Sequence, residues 1–270
     1  MVITAADVKK LRDQTGAGMM DAKKALTEAE GDFEKATELL RISGAAKAAK
    51  RSDRDASNGL VAAAGQALIQ LGAETDFVAK NEEFMALATT IAEAVEAAGV
   101  DSVAAAQAVQ LPSGQTVAAA IEALAVKIGE KLELVGVARF TGKTHTYLHR
   151  RSSDLPPQVG VLVEFEGTDE DLVHSVALQI ASMSPTYVHS GEIAEATIEN
   201  ERRIAEATAR EEGKPEHVIT RIVDGRIRDF FKDACLVEQM AISDDKVTVG
   251  TLLDKGGVTV TRFVRFAAAA

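Results

Sequence analysis

The chain has 270 residues, of which 46% are apolar, 26% charged and 4% aromatic, with no Trp and one Cys. This composition excludes a disordered chain, an intrachain disulfide and a cysteine-based metal site, and it predicts an alanine-rich, largely helical interior divided among several units. The net charge of −11 is uneven: residues 1–54 hold 11 basic and 9 acidic groups, 55–140 hold 4 and 11, and 141–270 hold 15 and 21. An acidic body argues against nucleic acid as the principal ligand, because phosphate affinity comes from Lys and Arg, and a protein partner is expected instead. No run approaches the roughly 18 uncharged apolar residues of a membrane span, and Asp7, Lys9 and Lys10 stand where a signal core would be apolar. The expected compartment is the cytoplasm, which suits the lone Cys235.

In chain order, the first 50 residues predict three short helices. Thr4 caps the first, with Asp7 three positions on and Val8 and Leu11 on one face. Thr15-Gly16-Ala17-Gly18 breaks it, and Ala22, Ala25, Leu26 and Ala29 recur at helical spacing in the second. Gly31 ends that helix, and Asp32 caps a third carrying Phe33, Ala36, Leu39 and Leu40. The Ala/Lys-rich tail from Gly44 to Arg54 reads as a linker. From Leu60 the sequence turns β-rich, with a strand over 66–71 punctuated by Gly65 and Gly72. Phe84, Leu87, Ala88, Ile91 and Val95 then form one face of a helix that Gly99 stops. After an Ala/Val/Gln stretch holding Pro112 and Gly114, Ile121, Leu124, Ala125 and Ile128 mark a shorter helix closed by Gly129. A strand over 132–140 follows.

Much of this plan recurs. Residues 159–165 read as a strand, and Leu172, Val173, Val176, Ala177 and Ile180 as the apolar face of the next helix. The strand over 258–266 ends in Val-Arg-Phe as 132–140 ends in Ala-Arg-Phe. Two related α+β subdomains are the economical reading, which gives an α+β fold divided as 1–54, 55–140 and 141–270. Inserted in the second copy, 192–233 predicts a projecting helical hairpin broken at Gly213-Lys214-Pro215. In its second arm Ile219, Val223, Ile227, Phe230 and Ala234 lie close to a heptad seam. The first arm has a thinner stripe of Ile193, Thr197 and Ile204, so the hairpin is expected to lean on another surface or to pair with a second copy as a homodimer.

Motifs for chemistry are weak. Gly142-Lys143-Thr144 ends like a phosphate loop, but the first glycine falls at 136 rather than 137 and no amphipathic helix follows. His145 and His149 lie four apart near a β-like run without a convincing third ligand, and surface histidines are expected. No nucleophile, HExxH or dinucleotide pattern is present. No catalytic residue, metal or cofactor is therefore expected. Two segments resist that plain reading. In 15–24, Met19 and Met20 follow a glycine turn and precede Lys23 and Lys24; they suit an adaptable contact surface or core packing equally. In 74–84, Thr75 or Asp76 is a candidate cap and Phe77 either a staple into the core or an exposed group.

Taken together, Thr-Gly-Ala-Gly-Met-Met-Asp-Ala-Lys-Lys-Ala-Leu at 15–26 and Thr-Asp-Phe-Val-Ala at 75–79 resemble the signature regions of the bacterial elongation factor Ts family. The similarity extends to Val126-Lys127-Ile128-Gly129-Glu130, to Lys214-Pro215, to 248–253 and to Phe263-Val264-Arg265-Phe266, and so spans essentially the whole chain. It implies a ubiquitin-associated-like three-helix domain, two related subdomains and a projecting hairpin. It also implies a non-enzymatic function, guanine-nucleotide exchange on the GTPase elongation factor Tu during translation. On this resemblance Met19, Met20 and Lys23 dock on the GTPase domain. Thr75, Asp76, Phe77 and Val78 intrude near its nucleotide and dislocate Mg²⁺, with Ile128 and Gly129 nearby. His149, Ile242 and Ser243 meet another domain of the partner. The sequence departs from the family at Gly72-Ala73, often Asn-Cys, and at Gln239-Met240-Ala241-Ile242, commonly Gln-Pro-aromatic-Val. A further C-terminal helix of some members is not expected to contribute. Against this stand two other readings: a binding or dimerisation module that takes ubiquitin-like folds or nascent chains, and an enzyme of unrecognised chemistry.

Overall fold

The computed structural model describes residues 3–51 and 53–268. Three helices open the chain, α1 (Ala5–Thr15), α2 (Met19–Glu28) and α3 (Phe33–Ala49). Thr4 and Asp7 form a reciprocal capping box: the Thr4 hydroxyl accepts from the Asp7 N–H at 3.2 Å while the Asp7 carboxylate accepts from the Thr4 N–H at 2.9 Å. Donation from the Thr4 hydroxyl at 2.6 Å, and then from the Thr4 N–H, holds the Asp7 carboxyl below the usual carboxylate range. Asp32 caps α3 by accepting from the N–H groups of Glu34 and Lys35. Val8, Leu11, Ala22, Leu26 and Ala36 close a small core among the three. The expected linker at Gly44 is a correction, because α3 continues to Ala49. Ala and Lys are strong helix formers, and Gly44 sits where an added Cβ would meet Val126 Cγ1 at 2.7 Å, so glycine serves close helix packing there.

Two antiparallel strands follow, β1 (Asn58–Ala64) and β2 (Ala67–Ala73), joined by Gly65-Gln66. Only the second was expected as a strand. Then come α4 (Asp76–Ala79), α5 (Glu82–Ala98), α6 (Val103–Gln107), α7 (Val117–Ile128) and β3 (Leu132–Arg139), which pairs antiparallel with β2. The sheet order is β1-β2-β3. Ile69 and Leu71 from the sheet meet Phe84, Ile91 and Val95 from α5 and Ile121 from α7 in one apolar core. Each such buried side chain contributes about 1.5–3 kcal/mol. Asn81, not Thr75, caps α5, accepting from the N–H groups of Glu83 and Phe84.

The remainder runs β4 (Thr144–His149), β5 (Val159–Glu166), α8 (Glu170–Met183), α9 (Glu195–Glu211), α10 (Glu216–Ala234), β6 (Met240–Ala241), β7 (Asp244–Thr248), α11 (Val249–Gly256) and β8 (Thr259–Ala267). A second three-stranded sheet has the order β4-β5-β8, the same plan as the first. Val161, Val163 and Phe165 of β5 pack with Val173, Val176 and Ile180 of α8 in its core. The chain divides into two compact units, one comprising Met1–Arg139, Arg150–Val159 and Phe266–Ala270, the other Phe140–His149 and Gly160–Arg265. The architecture is α+β, as expected.

Helices α9 and α10 form the expected hairpin; of the expected second-arm seam Ile219, Val223 and Ile227 are buried, whereas Phe230 and Ala234 are half-buried and Ile222 and Phe231 pack against the seam instead. The first-arm stripe needs correction. Ala205 and Ala209 fill the seam while Ile204 is exposed, so small side chains let the two arms approach closely. Arg202 pairs with Asp224 at 2.9 Å and Arg226 with Glu212 at 2.8 Å across the arms. The apolar seam is thus satisfied within the hairpin itself.

Candidate protein-interaction surface

Phe77 lies on α4, a single turn that is too short to be stable by itself. Its ring is 80% exposed, while its neighbour Val78 is 7% exposed and joins the core of the sheet. Phe77 is therefore not a staple. Val78, expected from the resemblance as part of the intruding segment, is buried beside the exposed ring. Asp76 is exposed, and Thr75 is half-buried at the N-cap, its hydroxyl accepting from the Val78 N–H at 3.5 Å.

Three polar contacts hold this turn. Glu130 takes Thr75 with both carboxylate oxygens, accepting from its hydroxyl at 2.8 Å and its N–H at 3.1 Å. Glu74 accepts from the Lys131 N–H at 2.6 Å and from Arg54 at 3.1 Å. Burial raises the Glu74 pKa, but these donors outweigh it and keep the carboxyl below its ordinary range. On the far side Lys80 donates to Asp154 at 2.8 Å and, with Ser152, draws that carboxyl down to about 2. Gly129 ends α7 with φ 88°, a left-handed conformation that glycine adopts without a Cβ penalty, and thereby delivers Glu130 toward Thr75. Ile128 and Gly129 are half-buried beside this junction, with Ile128 packed in part on the core.

At the start of α2, Met19 is 47% and Met20 75% exposed, and Lys23 is exposed. Of the two readings of Met19 and Met20, the exposed one holds, because Ala22, Ala25 and Leu26 take the inward face.

In the second unit His149 is exposed at the end of β4, its Nδ1 2.9 Å from the Tyr147 hydroxyl. Ile242 is 54% exposed, and Ser243 is exposed beside it in the turn between β6 and β7. Beneath this turn lies Gln179 of α8, 2% exposed. Its Nε2 donates to Gln239 Oε1 at 3.0 Å and to the Met240 carbonyl at 3.1 Å, and its Oε1 accepts from the Ile242 N–H at 2.8 Å. Neither Glu130 nor Gln179 was singled out as a site residue in the sequence.

The Gly142-Lys143-Thr144 and His145/His149 motifs both lie in the second unit. The Gly142 N–H donates to Glu164 at 2.9 Å, and a strand rather than a helix follows. Arg262 grips the same carboxylate at 2.8 and 2.9 Å and lowers its pKa to about 2. His145 meets His174 at 3.1 Å, whereas His149 meets Tyr147. Burial, then His174, lowers the His145 pKa. Among the described residues no group of three or more His, Cys, Asp or Glu is arranged to hold a metal. Among them, too, no helix is long and apolar enough to cross a membrane.

The chain is thus an α+β protein that presents exposed apolar side chains on anchored turns. A family model described as Elongation factor TS matches residues 74–270. The chain is 63% identical over 268 residues to Elongation factor Ts of Cutibacterium acnes, covering 99% of both. It is 57% identical over 263 residues to Elongation factor Ts of Mycolicibacterium vanbaalenii, covering 97% of both. Against Elongation factor Ts of Saccharopolyspora erythraea it is 53% identical over 263 residues, again 97% of both. The chain belongs to the elongation factor Ts family and is a translation elongation factor.

Proposed function

We propose that this chain promotes release of GDP from the GTPase elongation factor Tu, acting as a nucleotide-exchange factor without covalent chemistry. The observation that carries the reading is Phe77, 80% exposed on a turn anchored on both sides. An apolar ring held in water gains about 1.5–3 kcal/mol when another molecule encloses it. GDP is held in such GTPases by Mg²⁺, a Lys and backbone N–H groups acting together. A ring that enters between partner helices and shifts the Mg²⁺ and phosphate elements favours the nucleotide-free form, and linkage then requires an equal weakening of GDP.

One ring is insufficient, and a wider docking surface supplies the rest. In this reading residues 1–54 form the docking domain, with Met19, Met20 and Lys23 on the GTPase domain, and 55–140 carry the wedge, with Ile128 and Gly129 beside it. Residues 141–270 meet a second partner domain through His149, Ile242 and Ser243.

The test is release of a fluorescent GDP analogue from elongation factor Tu, with and without the chain. Acceleration by the wild type that Phe77→Ala cuts roughly ten- to hundredfold, with unchanged thermal unfolding, is expected. No acceleration by the folded wild type overturns the reading in favour of a binding module of another kind.

A further inference from the structure

We infer that Glu130 is the positioning residue of the Phe77 wedge, fixing how far the ring intrudes into the partner rather than touching the partner itself; this rests on the exchange reading above. An exposed ring on a one-turn helix has every reason to fold back on its own surface, since doing so removes apolar area from water. A wedge must also be stiffer than what it displaces, or it yields in place of the partner's helices. At its N-terminal end the turn's own hydrogen bond supplies little stiffness, because the cap contact from Val78 to Thr75 is long at 3.5 Å.

Glu130 provides what the turn lacks. Both of its oxygens converge on one residue, taking the Thr75 hydroxyl at 2.8 Å and the Thr75 N–H at 3.1 Å. Charge-assisted bonds of this kind are about twice as strong as neutral ones, and two on one residue fix direction as well as distance. With its proton committed to Glu130, the Thr75 oxygen turns its lone pairs toward the Val78 N–H, so the same carboxylate strengthens the cap. The geometry has a second consequence. Glu130 follows Gly129 directly, 55 residues from Thr75 in sequence, so one side chain locks Ile128-Gly129 and Asp76-Phe77 into a single surface. Glu74 and Lys80 grip the flanks of the turn, but neither binds its N-cap residue.

A positioning role separates the two stages of exchange. Glu130→Ala is expected to leave the concentration for half-maximal effect within about twofold of wild type while lowering the maximal GDP release rate roughly tenfold, the loss of about one charge-assisted hydrogen bond. Glu130→Gln, which keeps one acceptor oxygen for Thr75, is expected to recover part of the rate. The deciding measurement is a double-mutant cycle on release rate with Phe77→Ala, with thermal unfolding of all four proteins recorded. If Glu130 acts through the ring, Glu130→Ala costs little once Phe77 is Ala. Equal losses in both backgrounds, or a loss that tracks only the unfolding temperature, overturn the inference. Failure of the wild type to accelerate release is a different outcome and strikes the exchange reading instead.

Discussion

The turns at Phe77 and Ile242 present an apolar side chain in the same way and are anchored by different chemistry. Under Phe77 the anchors are carboxylates, Glu130 and Glu74, partly open to water and surrounded by Arg54 and Lys131. Under Ile242 the anchor is a neutral amide, Gln179, almost fully buried and joined to a second buried amide, Gln239. The shared lesson is that an exposed Phe or Ile keeps its place only where polar groups below it leave the backbone no alternative. The difference concerns robustness. The Glu74 anchor responds to acid, whereas an amide anchor does not titrate, and its loss leaves the buried Gln239 without its partner.

The largest effect is expected at the amide anchor. Gln179→Leu leaves the Ile242 N–H and the Met240 carbonyl without their partner, and chemical denaturation should show a loss of about 2–4 kcal/mol. A loss below about 0.5 kcal/mol, the range of surface substitutions, breaks the contrast. Next comes Phe77→Ala, for which release of labelled GDP should slow roughly ten- to hundredfold at unchanged stability. Ile242→Ala should weaken association about three- to tenfold in a binding titration, without altering the saturating release rate. Acid sharpens the comparison further. The folded-state pKa of Glu74 is lowered, so its contribution is fully present above the ordinary carboxylate value of 4.5 and is lost as pH falls through the depressed one. Amide hydrogen exchange at Lys131 should therefore rise relative to that at Ile242 on acidification below 4.5, and parallel changes at both would remove the distinction. The smallest effect is Lys23→Ala, an exposed charge expected to weaken association about two- to threefold and less in high salt.

How much of this was legible beforehand depended on the range of the interaction. The Thr4–Asp7 box, the Asp32 cap and the stops at Gly99 and Gly129 are local, and they stand where the pattern put them. The strand at 58–64 escaped because Gly59 and Ala62–Ala64 give no strong alternation, and the pairing to 67–73 supplies what propensity does not. The first hairpin arm misled for a related reason: Ile204 is the larger apolar residue, but Ala205 and Ala209 allow the close approach. At the surface, exposure of Phe77 followed only from the resemblance, since a staple fits the same spacing. Glu130 and Gln179 bind groups 55 and 63 residues away, and nothing in the neighbouring sequence marks such bonds.

The chain contains no Trp, so a single indole at position 77 reports on that position alone. The most direct measurement is the emission of Phe77→Trp free and with nucleotide-free elongation factor Tu, after subtracting the wild-type complex. A water-exposed spectrum in the free chain that moves to the blue on binding is the expected result. An indole already shielded in the free chain, or one still bathed in water within a formed complex, contradicts the account.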